Sequence, residues 1–184
     1  RTSLVGDTLD EAWIAWLGSI RPVEEAVDVS SLLLLRQLVS VGWVDEQRAA
    51  PLIQLTVEEA RGAVHKLARA SINGRPLLTV VEGTPDGTGA VWRLSTSALD
   101  ALEDGDQVAG QSRHRPSRPE IARTYAAARG RISTTELGSL VSASASNVGG
   151  TLKALAAEGV LAPSTPAGRG RGFGKGRALF HRLD

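Results

Sequence analysis

Near the C-terminus, the run Gly168-Arg169-Gly170-Arg171-Gly172-Phe173-Gly174-Lys175-Gly176-Arg177 spaces four cations with glycines. Such a segment bends freely and can follow a line of phosphates, and each phosphate it neutralises releases counterions. The chemistry implied is electrostatic contact with a nucleic-acid backbone through Arg169, Arg171, Lys175 and Arg177. The run is not a nucleotide-binding P-loop, because Arg169 stands where that motif needs its first glycine and no Ser or Thr follows Lys175. Single-stranded RNA binding, with Phe173 stacking on a base, is the variant this composition leaves open.

A second set of polar residues lies just upstream. Val148, Leu152 and Leu155 share one helical face, which turns Ser144, Ser146, Asn147, Thr151 and Lys153 outward. Short polar side chains at a helix start suit phosphate and base-edge contacts in a major groove, and Asn suits adenine. Gly149 and Gly150 weaken the helix but let a partner's backbone come close. The plain alternative is a capped and solvated helix face. Arg113, Arg115, Arg118 and Arg123, with His114, form a further basic cluster, which either extends the phosphate footprint or keeps a linker soluble.

Catalysis finds no foothold. His65, His114 and His181 lie in separate elements without HExxH or comparable ligand spacing, GxSxG is absent, and there is no cysteine nucleophile. The expectation is a protein that is not an enzyme and takes no cofactor or metal.

These residues need elements to position them. Thr8-Leu9-Asp10-Glu11 has capping-box spacing and leads into Trp13, Ile14, Trp16 and Leu17, with Gly18 as the stop; Pro22 suits the first turn of another helix. Trp13 and Trp16 sit one turn apart, and core packing is the commoner outcome for such a pair. Leu32 to Leu35 with Leu38 and Val39 is central to a core. Asp45 caps a short helix with Ala49, Leu52 and Ile53, and Thr56-Val57-Glu58-Glu59 opens another with Ala60, Val64 and Leu67 inward. Leu77 to Val81 and Ala90 to Leu94 flank the turn-forming Gly83 to Gly89 and predict a hairpin, followed by a short helix from Ser97 to Leu102.

A polar stretch follows, and then the plan repeats: a helix over 120–129, a strand at Ile132, a helix capped by Ser133 or Thr134, a helix from Ser144 to Glu158, and strands at Val160-Leu161 and 178–183. Gly62 falls opposite Gly150 in this repeat. The chain therefore reads as α+β and mostly helical, with two winged-helix (helix-turn-helix) domains bearing β-hairpin wings. The boundaries are an N-terminal helix at 1–22, domain 1 at 23–102, a linker at 103–117 and domain 2 at 118–184.

Charge divides along the same line. Residues 1–110 carry 9 Lys+Arg against 16 Asp+Glu, a formal −7, while 111–184 carry 12 against 4, a formal +8, matching the net +1 of the 184 residues. The acidic half is thus assigned to dimerisation, sensing or docking, and the basic half to a polyanion. The first module's outward residues, Glu58, Glu59, Arg61, His65 and Lys66, begin acidic, and its hairpin loop holds Asp86 and no cation, so it is not expected to grip DNA. No apolar run reaches membrane-spanning length and no secretion signal leads the chain, which predicts a cytoplasmic protein without membrane contact. The absence of Met, with Arg1 leading, predicts a fragment of a longer protein.

The run Ser146 to Leu161, with Leu152, Leu155, Gly159 and Leu161 spaced as LxxLxxxGxL, resembles the recognition helix and first wing strand of bacterial winged-helix regulators. The whole arrangement resembles the C-terminal region of actinobacterial ATP-binding regulators with a Schlafen-type (AlbA-like) N-terminal domain. The resemblance implies a transcriptional regulator that binds double-stranded DNA, with any nucleotide-binding part preceding Arg1. The alternatives are a protein-interaction scaffold of tandem winged helices and an accessory region of a larger ATP-binding enzyme.

Overall fold

The computed structural model describes residues 10–23, 28–164 and 178–183. Helix α1 (Glu11–Ser19) is capped by Asp10, whose carboxylate accepts the Trp13 N–H, and it runs past Gly18 to Ser19. Thr8 lies outside the described residues. Strand β1 (Ile20–Arg21) follows, and Pro22 comes after a cis peptide bond.

Two units of similar element order come next, the first with an extra two-stranded hairpin after its third helix. The first has α2 (Val29–Val41), β2 (Val44–Asp45), α3 (Glu46–Ile53), α4 (Val57–Ala68), β5 (Leu78–Val80) and β6 (Val91–Leu94). The second has α6 (Arg118–Arg129), β7 (Arg131–Ser133), α7 (Thr134–Leu140), α8 (Ala145–Ala157), β8 (Leu161–Pro163) and β9 (Leu179–Arg182). Each unit closes on a three-stranded antiparallel sheet with its third strand in the middle, β2-β6-β5 in one and β7-β9-β8 in the other. The protein is a mixed α+β structure in which helices predominate among the described residues.

Local signals account for most of these boundaries. Asp45 accepts the Arg48 N–H at 2.8 Å, and Thr56 with Glu59, Ser117 with Glu120 and Ser133 with Glu136 form capping boxes. The small sheet β1-β3-β4, with β3 (Ser71–Ile72) and β4 (Arg75–Pro76), escapes the sequence reading. Its signal was present: Asn73 and Gly74, at φ 52 and 72, make a two-residue hairpin turn.

Helix α5 (Thr96–Val108) corrects the expected boundary at Leu102, because it continues well into the segment read as a linker. Its buried face is Ala98, Leu102 and Asp106, so a carboxylate occupies the position where the apolar rhythm should continue. Arg113 satisfies it, with Nη2 3.1 Å from Asp106 Oδ1, and also reaches Asp10 at the cap of α1. Trp16 is buried against α5 and donates its indole N–H to the Ala98 carbonyl at 2.9 Å; Trp13 stacks on it.

The core forms two clusters that do not coincide with the two units. Trp43, Val81 and Val91 belong to the first unit by sequence, yet they pack with Ile121, Tyr125 and Ile132 of the second. Trp43 is fully buried edge-on to Tyr125, with ring centroids 5.0 Å apart. Burying an aromatic side chain this way contributes about 2–3 kcal/mol. The two units are therefore joined through a shared apolar core.

Candidate nucleic-acid interface

The turn from α7 to α8 sets the candidate face. Gly138 is forced there, because a Cβ on it would stand 2.6 Å from the Ala143 carbonyl oxygen. Ser142 holds the turn with a left-handed φ of 53°. Val148, Leu152 and Leu155 then lock α8 into the core.

The consequence matches the expected orientation. Ser144, Ser146, Asn147 and Lys153 are exposed and Thr151 is half-buried. Ser144 is the N-cap by position but makes no side-chain cap; its hydroxyl lies 2.9 Å from that of Ser146. Among the described residues, neither Asn147 nor Lys153 has a side-chain hydrogen-bond or ion-pair partner. Gly149 and Gly150 have open space where a Cβ would stand, so no internal packing demands glycine at either position.

Arg169, Arg171, Lys175 and Arg177 lie outside the described residues. The strands on either side are described: Ser164 donates to the Leu179 carbonyl at 3.0 Å, so the chain leaves and re-enters at neighbouring points of one sheet.

Most of the second basic cluster has internal partners. Arg113 holds Asp10 and Asp106, Arg115 lies 3.2 Å from Glu103 and donates to the Leu99 carbonyl, and Arg123 lies 2.6 Å from Glu158. Arg118 and His114 remain exposed. The pairing of Arg113 and Arg115 ties the segment after α5 back onto α5 and the cap of α1, which gives these cations a structural role.

The first unit's counterpart helix, α4, spends its polar residues locally. Arg61 bonds Glu46 at 2.5 Å and Glu58 at 2.7 Å, and Lys66 lies 2.9 Å from Asp28. The Arg61 hydrogen bond holds the Glu46 carboxyl below its ordinary range. The hairpin loop after β5 begins against α7. Glu82 donates its N–H to Ser139 Oγ at 2.9 Å, and a Cβ on Gly83 would sit 2.9 Å from Thr135 Cγ2, while Asp86, Gly87 and Thr88 further along are exposed.

Sequence reasoning missed two buried polar centres. Arg129, whose side chain is 11% exposed, joins the units by bonding Asp45 at 2.7 Å and the Thr88 carbonyl and hydroxyl at 2.9 and 2.8 Å. Glu136, fully buried, accepts from Tyr125 Oη, Arg131 Nη2 and the Ser133 N–H at 2.8–2.9 Å. Burial and the Glu136 charge push the Tyr125 phenol up. The capping-box spacing of Ser133 and Glu136 was the available signal for the second; nothing local marks the first.

Among the described residues no group of His, Asp and Glu is arranged to hold a metal ion, and no helix is long and apolar enough to cross a membrane. No family model and no curated protein matches the chain. Among solved structures, the chain is similar to the crystal structure of the DIP2311 protein from Corynebacterium diphtheriae, with a TM-score of 0.68 at 18% sequence identity. The similarity covers 94% of this chain but 29% of that protein's length, and it is a likeness of fold alone.

Proposed function

We propose that the two units are winged-helix modules and that the chain is the double-stranded-DNA-binding region of a bacterial transcriptional regulator, acting in the cytoplasm and not as an enzyme. The observation that carries this reading is the outer face of α8. Its first turns present Ser144, Ser146 and Asn147, with Lys153 about two turns beyond Ser146, beside two glycines that no internal contact requires. An exposed helix pays about 1 kcal/mol for each such glycine relative to alanine, a cost that close approach of a partner offsets. α8 would read the major groove, and the Arg169-to-Arg177 segment, which falls between β8 and β9 in sequence, would follow the phosphates.

The first module, with the start of its hairpin loop already set against α7, is left to dimerisation, sensing or contact with further sequence. A second reading is the accessory region of a larger ATP-binding enzyme; of that, the DIP2311 comparison bears only on length, the likeness spanning 29% of that protein. Duplex-DNA binding would be measured at about 50 and 200 mM salt for the chain and for a variant with Arg169, Arg171, Lys175 and Arg177 changed to Ala. Binding that weakens steeply with salt, with a shallower slope in the variant, is the expected result. No binding at the lower salt would end the DNA reading.

A further inference from the structure

We propose that Arg93, a residue of the first unit, contacts a phosphate of the same duplex, so that the bound DNA crosses the junction between the units. This rests on the DNA reading of α8 and extends it to the half of the chain that carries net negative charge.

Arg93 stands on β6 opposite Thr79 of β5. It lines a groove of about 480 Å³ where the first unit's sheet meets the α7–α8 turn, together with Thr79, Ser142, Ser144 and Ala145. The groove thus opens at the first turn of α8, the part of the helix assigned to the DNA. One carboxylate, the exposed Glu82, also lines it.

Arg93 has no ion-pair partner among the described residues. Among the described residues the other half-buried cations, Lys66, Arg113, Arg115, Arg129 and Arg131, meet carboxylates, while Arg48 lies over the Trp43 ring at 4.8 Å. Arg93 has neither. Its single hydrogen bond runs from Nη1 to the Leu94 carbonyl at 2.9 Å, and its Nε is buried without an acceptor. Burial holds its pKa below the ordinary arginine value. A desolvated guanidinium without a counter-charge is unfavourable in the isolated chain, and an anion from outside removes that penalty. A phosphodiester supplies it with two acceptor oxygens in the geometry that guanidinium pairs with best. Ser142 and Ser144 add hydroxyls, and the dipole of α8 favours negative charge at the same place.

The test measures duplex binding by the whole chain across the same salt range for wild type, Arg93→Gln and Arg93→Lys. The expected result is a slope of log K against log salt that is shallower by about 0.9 in Arg93→Gln and retained in Arg93→Lys. Thermal melting checks that the variants are folded. Should Arg93→Gln unfold, Thr79→Asp places a carboxylate on the strand position opposite Arg93 in the same groove, away from α8, and there binding must weaken. Wild-type binding with an unchanged slope in Arg93→Gln, or unchanged binding in Thr79→Asp, overturns the role of Arg93 and leaves the DNA reading of α8 standing. Absence of wild-type binding at the lower salt overturns both.

Discussion

Arg129 of α6 and Asp45 at the start of α3 form an ion pair of 2.7 Å between side chains only 11% and 7% exposed, 84 residues apart in sequence. Asp45 has two tasks, since its other oxygen caps α3 through the Arg48 N–H. One carboxylate therefore sets a helix start and the junction of the two units together. Arg129→Met would leave that carboxylate buried and unpaired at a cost of about 3 kcal/mol. Denaturant unfolding should show a lowered midpoint, and an unchanged midpoint would deny the pair its joining role.

Two glycines of the second unit, one in α7 and one in α8, should respond oppositely to the same substitution. Gly138→Ala drives a Cβ into the Ala143 carbonyl and should cost about 2 kcal/mol or more. Gly150→Ala meets open space and should stabilise the helix by about 0.5–1 kcal/mol while weakening DNA binding. Melting temperature and fluorescence anisotropy on one set of proteins read both effects. A Gly150→Ala protein that binds duplex DNA as tightly as wild type would remove the glycine argument.

The Arg113 side chain spans α5 and α1 through Asp106 and Asp10. Arg113→Ala strands the Asp106 carboxylate, which is 5% exposed, and should destabilise by about 2 kcal/mol. Adding Asp106→Leu should recover most of that loss, because the position then continues the Ala98–Leu102 apolar face. Equilibrium unfolding of the single and double variants decides it.

Acid should weaken the fold through carboxylates held low by their partners. Glu46 is lowered by the Arg61 hydrogen bond, and Glu59 and Glu120 by the hydroxyls of Thr56 and Ser117 in their capping boxes. A carboxyl with a depressed folded pKa stabilises the protein above the ordinary value of 4.5 and loses that contribution as pH falls through the folded value. Thermal unfolding should accordingly show a melting temperature that drops below about pH 4.5, and Glu46→Gln should flatten part of that drop.

Elements whose causes lie within one or two turns of chain were legible in advance. Asp45, Thr56 with Glu59, the two strands around Gly83 to Gly89, and the Val148–Leu152–Leu155 face of α8 all appear where the spacing put them. Where a local rule was broken by a distant partner, the reading failed. Asp106 interrupted the apolar rhythm of α5 because Arg113 and Asp10 satisfy it, so the helix seemed to end early.

The sequence by itself determined most helix starts, the two hairpins, the repeated element order and the outward set on α8, because capping and hydrophobic periodicity act over three or four residues. Tertiary structure alone decided which charges are spent and which remain. It paired Arg113, Arg115 and Arg123, set the start of the first hairpin loop against α7, drew Trp43, Val81 and Val91 into the second core, and left Arg93 without an ion-pair partner among the described residues. Those outcomes depend on two surfaces docking, and a docking geometry is written in no local run of residues.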